Sequence, residues 1–275
     1  MQNIDKKVVD DFGFEWDKFD HSELSENELK EAFEQYFGIF PLEELNKQST
    51  GFDMGCGSGR WAKMIANRVG TLNCIDPSEK AIEVAKKNLA EFSNINFITR
   101  SVDNVEIDEQ SQDFGFCLGV LHHVPDTLGG IKSCSKLLKK GAPFLIYLYY
   151  NFENKPMWFQ FVWRITDVFR RFICILPLQL KVFLSALIAL FIYYPLARLS
   201  KNLARFGVDV SNIPLQDYRN KAFYFMRNDA LDRFGTRLEK RFTKLEIKSM
   251  LEDSDFENIQ FSDSMPHWVC IARKV

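Results

Sequence analysis

The sequence predicts an α/β fold, in which a mostly parallel sheet is interrupted by a helical insertion. Residues 48–150 alternate short apolar runs with amphipathic segments. A glycine-rich turn follows the first apolar run, and residues 151–222 are strongly apolar and aromatic with basic residues between. Strands that alternate with helices favour a parallel sheet with right-handed crossovers.

Five strands are predicted in residues 48–150 from apolar runs that end at turn residues. They cover residues 50–53, 72–75, 95–99, 114–118 and 142–149. Helices are predicted after the first two strands, because apolar residues recur at helical spacing through Ala62–Val69 and Ala81–Leu89.

The C-terminal segment predicts one helix and two strands. Thr243 and Glu246 have the spacing of a capping box, so a helix begins there. Residues 258–261 and 268–272 read as strands joined by a turn. Such a pair indicates an antiparallel strand at the end of the sheet.

Composition and length narrow the function classes. The 275 residues divide into an N-terminal helical lid (1–47), a core (48–150), an apolar insertion (151–222) and a C-terminal completion of the sheet (223–275). A net charge of −2 argues against nucleic-acid binding. The six cysteines include no CxxC pair, so no metal site is predicted and reduced core thiols of a cytoplasmic protein are expected. The first sixteen residues lack the apolar run of a signal peptide.

Three carboxylates surround the glycine-rich turn, which runs from Gly55 to Gly59. Asp53 precedes the turn, Asp76 ends the second strand and Asp103 follows the third. Ligands of open α/β sheets bind at the carboxyl ends of the strands, where Asp76 is placed to accept the hydroxyls of a ribose. A glycine turn alone is a weak signal, since it also serves tight strand-to-helix connections.

Two motifs carry a family resemblance. The sequence FDMGCGSGRW (52–61) resembles motif I of class I S-adenosylmethionine (SAM)-dependent methyltransferases, and GVLHHVPD (119–126) resembles the segment after strand four in the subgroup that acts on small molecules. The resemblance covers about residues 48–150 and, more loosely, 240–275. It implies a Rossmann-like sheet of seven strands whose last strand is antiparallel, and it implies SAM as cofactor and S-adenosylhomocysteine as product.

The resemblance also implies which residues hold SAM. Asp53 and the glycine turn would hold the methionine moiety, Asp76 the ribose and Asp103 the adenine amine. An N-terminal aromatic segment that ends at Trp16 would cover the cofactor. The full predicted set is Trp16, Asp53, Gly55, Cys56, Gly57, Gly59, Asp76, Pro77, Val102, Asp103, Leu118 and Gly119.

Methyl transfer needs a base only where the acceptor atom carries a proton. His122 and His123 end up beside the expected methyl group and are the candidate catalytic residues, although one could cap a loop and the other contact the cofactor. Candidate acceptor-binding residues are Tyr149, Tyr218, Arg219, Tyr224 and His267. The resemblance leaves the role of the histidine pair open.

The insertion admits three interpretations. Residues 182–197 carry no formal charge but include Pro195 and are shorter than the ~20 residues of a spanning helix. Upstream, Trp158, Val162 and Phe169 belong to an apolar stripe with arginines between. Residues 155–206 could form a cap over a hydrophobic acceptor, a homodimer interface or a peripheral membrane contact.

The predicted function is transfer of a methyl group from SAM to an oxygen or nitrogen of a small, hydrophobic or amphipathic acceptor. Two alternatives remain at this level. NAD-dependent oxidoreductases also use a glycine turn and an acidic ribose contact, but their spacing is GxGxxG rather than the GxGxG found here. A non-catalytic protein that binds SAM would keep the same motif.

Overall fold

A computed structural model describes residues 3–18 and 26–275. The chain divides into two compact units. The sheet unit comprises Met1–Asn151 and Leu238–Val275, and the helical unit comprises Phe152–Arg237.

The sheet unit is built on one mixed sheet. Its strands are β1 (Thr50–Met54), β2 (Thr71–Asp76), β3 (Ile95–Thr99), β4 (Phe114–Leu118), β5 (Pro143–Tyr147), β6 (Phe256–Phe261) and β7 (Val269–Lys274). The strand order is β3-β2-β1-β4-β5-β7-β6, and only β7 runs antiparallel to its neighbours. The predicted seven-stranded sheet with an antiparallel last strand is confirmed.

Residues 3–18 and 26–275 form ten α-helices. Those of the sheet unit are α1 (Lys6–Lys18), α2 (Glu26–Phe37), α3 (Arg60–Ile65), α4 (Glu79–Asn88), α5 (Thr127–Leu137) and α10 (Lys244–Glu252). Those of the helical unit are α6 (Met157–Ile173), α7 (Leu178–Ile188), α8 (Tyr194–Arg205) and α9 (Phe223–Gly235).

The sheet order creates a crevice. The chain leaves β1 toward β2 on one side, whereas β4 joins β1 on the other, so their outgoing loops diverge at the carboxyl ends of these strands. Gly51 allows the side chain of Phe114 to lie directly against β1, because a Cβ atom at Gly51 would stand 2.3 Å from the ring. Close packing of β1 and β4 therefore fixes the walls of the crevice.

Strand β5 ends at Tyr147, two residues before the predicted end at 149. The chain then leaves the sheet, and Tyr150 forms an isolated parallel bridge with Phe242. The run of apolar and aromatic residues continues past Tyr147, which is why the pattern overestimates the strand.

The helical unit extends beyond the predicted insertion. Its last helix, α9, lies in the segment that the sequence assigned to the C-terminal part of the sheet, but it packs with α7 and α8 around Ala189, Tyr193, Met226 and Ala230. Helical spacing reports that such a helix exists, and tertiary packing decides which unit it joins.

Pro195 does not end the apolar helix. A π-helical turn at Ala189–Tyr193 joins α7 to α8, and Pro195, which has no backbone N–H, follows directly after this turn. The result is one helix of 28 residues, Leu178–Arg205. Its length and composition would suffice to cross a membrane, a criterion that core helices of other proteins also meet.

Candidate active site

A cavity opens at the carboxyl ends of β1, β2, β3 and β4, and its open space amounts to about 790 Å³. Its floor and walls come from the turns after these strands, and its cover comes from the N-terminal segment and α1. The lining residues are Asn3, Ile4, Asp5, Val8, Val9, Phe12, Trp16, Met54, Gly55, Ile75, Asp76, Pro77, Arg100, Ser101, Val102, Leu118, Gly119, Val120, His123 and Val124.

The turn after β1 can be built only from glycines at its key positions. Gly55, Gly57 and Gly59 all have positive φ angles, of 78°, 53° and 79°. A Cβ atom at Gly55 would stand 2.3 Å from Val120, and one at Gly57 would stand 2.8 Å from the ring of Trp16. Backbone atoms therefore approach the cavity more closely than any side chain would allow.

Asp76 joins this turn to the end of β2. Its Oδ2 accepts a hydrogen bond from the Gly57 amide at 3.1 Å, and its Oδ1 accepts one from the Ser78 amide at 2.9 Å. Burial raises the pKa of Asp76 to about 6, although both amide hydrogen bonds act to lower it.

A second carboxyl lies behind the cavity wall. Asp53 is buried, and its Oδ2 has no hydrogen-bond partner among the residues that the structure describes. Burial, reinforced by the nearby charge of Asp76, raises the pKa of Asp53 well above its usual value despite the guanidinium of Arg60. Two carboxyls with raised pKa values favour a ligand that brings hydroxyl donors or positive charge.

The predicted cofactor residues separate into three groups. Trp16, Gly55, Asp76, Pro77, Val102, Leu118 and Gly119 line the cavity. Asp53, Cys56, Gly57 and Gly59 belong to β1 and its turn, behind the lining.

Asp103 forms the third group. It is exposed, does not line the cavity, and accepts a hydrogen bond from the backbone amide of Asn3 at 2.8 Å. Partial burial would raise its pKa, but hydrogen bonds from Asn3 and Ser101 lower it.

The N-terminal cover is held by a contact that the sequence analysis missed. The side chain of Asn3 donates to the Asp126 carbonyl and accepts from the Asp126 amide, both at 2.7 Å. Nothing in the pattern around Asn3 marks this long-range pair. Phe12 and Trp16, in contrast, are four residues apart, a spacing that places both rings on one face of α1.

The two histidines of GVLHHVPD face different surroundings. The Nδ1 atom of His123 lies 2.7 Å from the Leu238 carbonyl. Because a carbonyl only accepts, Nδ1 carries the proton and Nε2 carries the lone pair. His123 lines the cavity, with the Phe12 ring 4.9 Å away.

His122 is fully buried and does not line the cavity. Its Nδ1 accepts a long hydrogen bond from the Tyr149 amide at 3.4 Å, which places the proton on Nε2. Burial, followed by the charges of His123 and Arg241, lowers the pKa of His122 well below its usual value. His122 is therefore neutral and holds its proton on a nitrogen that has no hydrogen-bond partner among the described residues.

Tyr149 supports the histidine pair instead of lining the cavity. Its ring stacks on that of His122, with 3.7 Å between the ring centroids. The guanidinium of Arg241, which also belongs to the sheet unit, lies 5.0 Å from the centroid of the Tyr149 ring. Arg241 is paired with the buried Glu239 at 2.8 Å and donates to the Tyr150 carbonyl. No motif signalled Arg241 or Glu239, because both act through side chains distant in sequence.

The other predicted acceptor residues lie elsewhere. Tyr218, Arg219 and Tyr224 belong to the helical unit. The Tyr218 hydroxyl donates to Asp229 at 2.7 Å, and Arg219 donates to the Gln216 side chain. His267 belongs to the sheet unit but not to the cavity lining, and its ring packs 5.3 Å from that of Tyr150.

Comparison with known proteins agrees with the site. Residues 52–146 match the family model described as a methyltransferase domain. The chain is 34% identical over 91 residues to a ubiquinone biosynthesis O-methyltransferase of Coxiella burnetii, which covers 33% of the chain and 39% of that protein. It is also 34% identical over 97 residues to the protein of that name from Nitrosomonas europaea, covering 34% of the chain and 41% of the relative. The chain thus spans about two fifths of these curated relatives.

Solved structures share the fold at low identity. A putative methyltransferase from Bacillus halodurans superposes with a TM-score of 0.50 at 14% identity, covering 83% of this chain and 69% of that one. The carbon methyltransferase of CurJ superposes with the same TM-score at 9% identity, covering 85% of this chain and 51% of that one.

The strand order and the strand-end cavity define a Rossmann-like fold, which the solved structure from Bacillus halodurans shares. The family match is more specific: residues 52–146 are similar to a methyltransferase domain, and SAM is the cofactor that such a domain implies. The residues present fit that cofactor. The carboxyls of Asp76 and Asp53 suit its hydroxyls and positive charge, and Gly119 leaves open space at the wall, with no atom within 4 Å of a Cβ built there.

Proposed function

We propose that this protein transfers the methyl group of SAM to a hydroxyl oxygen of a small, largely apolar acceptor. The observation that carries the proposal is His123, a cavity-lining imidazole whose Nε2 holds a lone pair because Nδ1–H is engaged by the Leu238 carbonyl. Such a group suits an acceptor that must lose a proton, as a hydroxyl does. The relatives named above as O-methyltransferases support oxygen over nitrogen as the accepting atom.

In this proposal the strand-end residues hold the cofactor. The amides of the glycine turn would lie close to it, Asp76 would accept hydrogen bonds from the ribose hydroxyls and Val102 would pack beside the adenine. SAM, when bound, supplies a methyl group already activated for displacement. The chain therefore has to bind, align and dehydrate the reactants.

His123 accepts the proton of the acceptor hydroxyl at Nε2 as the oxygen gains the methyl group. The positive charge that develops on the ring is stabilised by the hydrogen bond from Nδ1–H to the Leu238 carbonyl. His122 is unsuited to this step, because its lone pair already receives the Tyr149 amide. It serves instead as a neutral, buried support on which His123 and Tyr149 pack, with ring centroids 4.1 and 3.7 Å away.

The lining selects an apolar acceptor. Val8, Val9, Phe12, Val120 and Val124 line the same cavity as His123. An aromatic alcohol fits this environment, because its ring is apolar and its hydroxyl is more acidic than that of an aliphatic alcohol. The α1 cover also keeps water from the reacting atoms.

The first experiment is calorimetric titration of the protein with SAM, S-adenosylhomocysteine and NAD, alongside Asp76→Ala. We expect micromolar binding of the first two ligands, lost in the variant, and no binding of NAD. Binding of NAD alone would replace this proposal by an oxidoreductase.

The second experiment follows transfer from methyl-labelled SAM to catechol, to a straight-chain alcohol and to a primary amine. We expect catechol to be methylated, and His123→Gln to lower the rate at least ~100-fold while its SAM affinity stays within about threefold. His122→Gln is the matched variant, and its rate should fall much less. Equal losses in both variants would remove the base role from His123, and methylation of the amine alone would contradict the choice of oxygen.

A further inference from the structure

The helical unit presents an apolar surface to solvent. Of the 20 large hydrophobic side chains that are exposed among residues 3–18 and 26–275, 18 lie between Met157 and Val208. Only Leu245 and Val275 of this set lie outside that segment. Scattered exposed apolar residues are ordinary, whereas a concentrated patch marks an interaction surface.

Helix α6 carries one half of this surface in a continuous stripe. Its exposed apolar residues are Met157, Trp158, Phe161, Val162, Ile165, Val168, Phe169 and Phe172. At 100° per residue they fall within an arc of about 140°. The opposite side of the helix is buried or half-buried and combines the ion pair of Asp167 and Arg170 with the rings of Phe159 and Trp163.

Polar contacts fix this orientation. Arg170 Nε donates to Asp167 at 2.6 Å, and Arg170 also donates to the Thr236 carbonyl at 3.0 Å. The helix thus turns this ion pair inward and Phe161, Phe169 and Phe172 outward, whereas an ordinary surface helix exposes its charged residues and buries its apolar ones.

The long helix α7–α8 supplies the other half. Its exposed apolar residues include Phe183, Leu190, Phe191 and Ile192. Its opposite face is buried within the unit, where Ala189, Tyr193 and Ala197 pack with residues of α9.

Helix α9 itself carries charged residues, among them Arg227, Asp229, Asp232 and Arg233. Because α7–α8 is packed on one side against this helix, its apolar side suits a lipid surface better than full immersion in a bilayer.

The net charge of the helical unit indicates which kind of surface it would bind. Residues 152–237 contain 13 Lys and Arg against six Asp and Glu, a formal charge of +7. The whole chain carries −2, so the remaining residues carry −9. Between 154 and 208 the sequence has eight basic residues and a single acidic one, Asp167, which is paired with Arg170 and Arg171.

Basic side chains border the apolar stripe of α6. Arg164 and Arg171 lie within about 40° of its edge on the helical wheel, and both are exposed. Apolar rings flanked by arginines match the boundary between acyl chains and anionic headgroups.

We propose that the helical unit docks in the plane of an anionic lipid membrane, with the exposed stripes of α6 and α7–α8 inserted among the acyl chains and the bordering arginines on the headgroups. A second copy of the chain fits this face less well. A twofold dimer would bring the same basic patch of both copies together, and their charges would repel.

Vesicle flotation tests the proposal with the full-length chain. Vesicles of phosphatidylcholine with one third phosphatidylglycerol should carry the protein upward, and vesicles of phosphatidylcholine alone should carry at least fivefold less. The triple variant Trp158→Ser, Phe161→Ser, Phe172→Ser should lose at least tenfold in partitioning. Leu245→Ser, at a residue 75% exposed on the sheet unit, is the matched control and should bind like the parent.

Charge-reversal variants distinguish the contribution of headgroup contacts to binding from that of apolar contacts. Arg164→Glu should weaken binding to anionic vesicles several-fold and reduce its salt dependence, whereas Lys140→Glu on the sheet unit should leave both unchanged. Thermal melting of each variant checks folding, which exposed substitutions should preserve.

Three outcomes would overturn the proposal. The protein could remain unbound with both vesicle types, or the triple variant could float like the parent. Analytical ultracentrifugation could also show a dimer that the triple variant abolishes while vesicles bind neither form. That last result would assign the face to a second copy of the chain.

Discussion

The two units of this protein treat apolar side chains in opposite ways. In the sheet unit, Phe52, Phe114, Phe116 and Phe144 are completely buried. In the helical unit, Phe161, Phe169 and Phe172 of α6 are exposed, whereas Asp167 and Arg170 are buried. The same kind of sequence pattern therefore produces a core in one unit and a binding surface in the other.

The difference shows what amphipathic spacing encodes. Spacing identifies a helix with two unlike faces, but it does not say which face is buried. In α6 the choice is made by specific polar partners, since Arg170 finds both a carboxylate and the Thr236 carbonyl inside the unit. This difference between the two units can be tested with substitutions that should change the free energy of unfolding by different amounts in each unit.

The largest effect is expected in the sheet unit, at Gly55. Gly55→Ala forces a side chain into positive φ and places its Cβ 2.3 Å from Val120. Left-handed strain of about 1–2 kcal/mol and overpacking of about 1–3 kcal/mol together should lower the free energy of unfolding by about 2–5 kcal/mol. Urea unfolding followed by circular dichroism measures this loss.

Gly119→Ala is the matched control for Gly55. Its φ is 81°, but no atom lies within 4 Å of the added Cβ. The variant should lose only the strain of about 1–2 kcal/mol. Equal losses at the two positions would show that packing against Val120 contributes nothing.

Asp76 should make the cofactor-free sheet unit less stable as pH rises. Its folded-state pKa of about 6 exceeds the unfolded value of about 3.9, so its contribution is fully present below pH ~4 and is lost as pH rises through 6. Relative to Asp76→Asn, the parent should lose up to about 3 kcal/mol of unfolding free energy between pH 4 and 7.

Asp103→Asn is the control for this pH profile. The pKa of Asp103 is lowered, so its contribution is present above its unfolded pKa and is lost only in more acid solution. The difference between parent and Asp103→Asn should therefore be flat from pH 5 to 7. A slope in that window that survives Asp76→Asn would point instead to Asp53, whose pKa is also raised.

In α6 of the helical unit, replacing a buried charged residue should cost more stability than replacing an exposed apolar one. In the sheet unit, by contrast, the apolar residues are the buried ones. Arg170→Met leaves Asp167 with Arg171 as its remaining ion-pair partner and should cost about 2 kcal/mol or more. Phe172→Ser, at a side chain 65% exposed, should change the unfolding free energy by no more than about 0.5 kcal/mol. A larger loss for Phe172→Ser than for Arg170→Met, in urea unfolding without lipid, would break the comparison.

Structural features that depend on residues close together in the sequence could be predicted. The bounds of β3 and β4 coincide with the predicted 95–99 and 114–118, since turn residues flank both runs. The glycine turn and Asp76 could be identified from the sequence, because the distance between them along the chain is typical of proteins that bind a nucleotide cofactor.

Features set by distant partners could not be predicted. The two adjacent histidines differ because His123 meets Leu238, 115 positions away, whereas His122 meets Tyr149. Asp103 bonds with Asn3 across 100 positions, and α9 joins the helical unit through contacts with α7 and α8. No short window of sequence contains such pairs.

A small effect is expected for the most local of these features, the capping box of α10. Thr243 Oγ1 accepts from the Glu246 amide at 3.0 Å, and Glu246 accepts from the Thr243 amide at 2.7 Å. Thr243→Ala should cost about 1 kcal/mol in urea unfolding. At the start of α4, Ser78 accepts from the Ala81 amide at the longer distance of 3.4 Å, so Ser78→Ala should cost less. If Ser78→Ala costs more, hydrogen-bond length does not rank the two caps, and the contacts of Ser78 with Gly13 of α1 would then account for the excess.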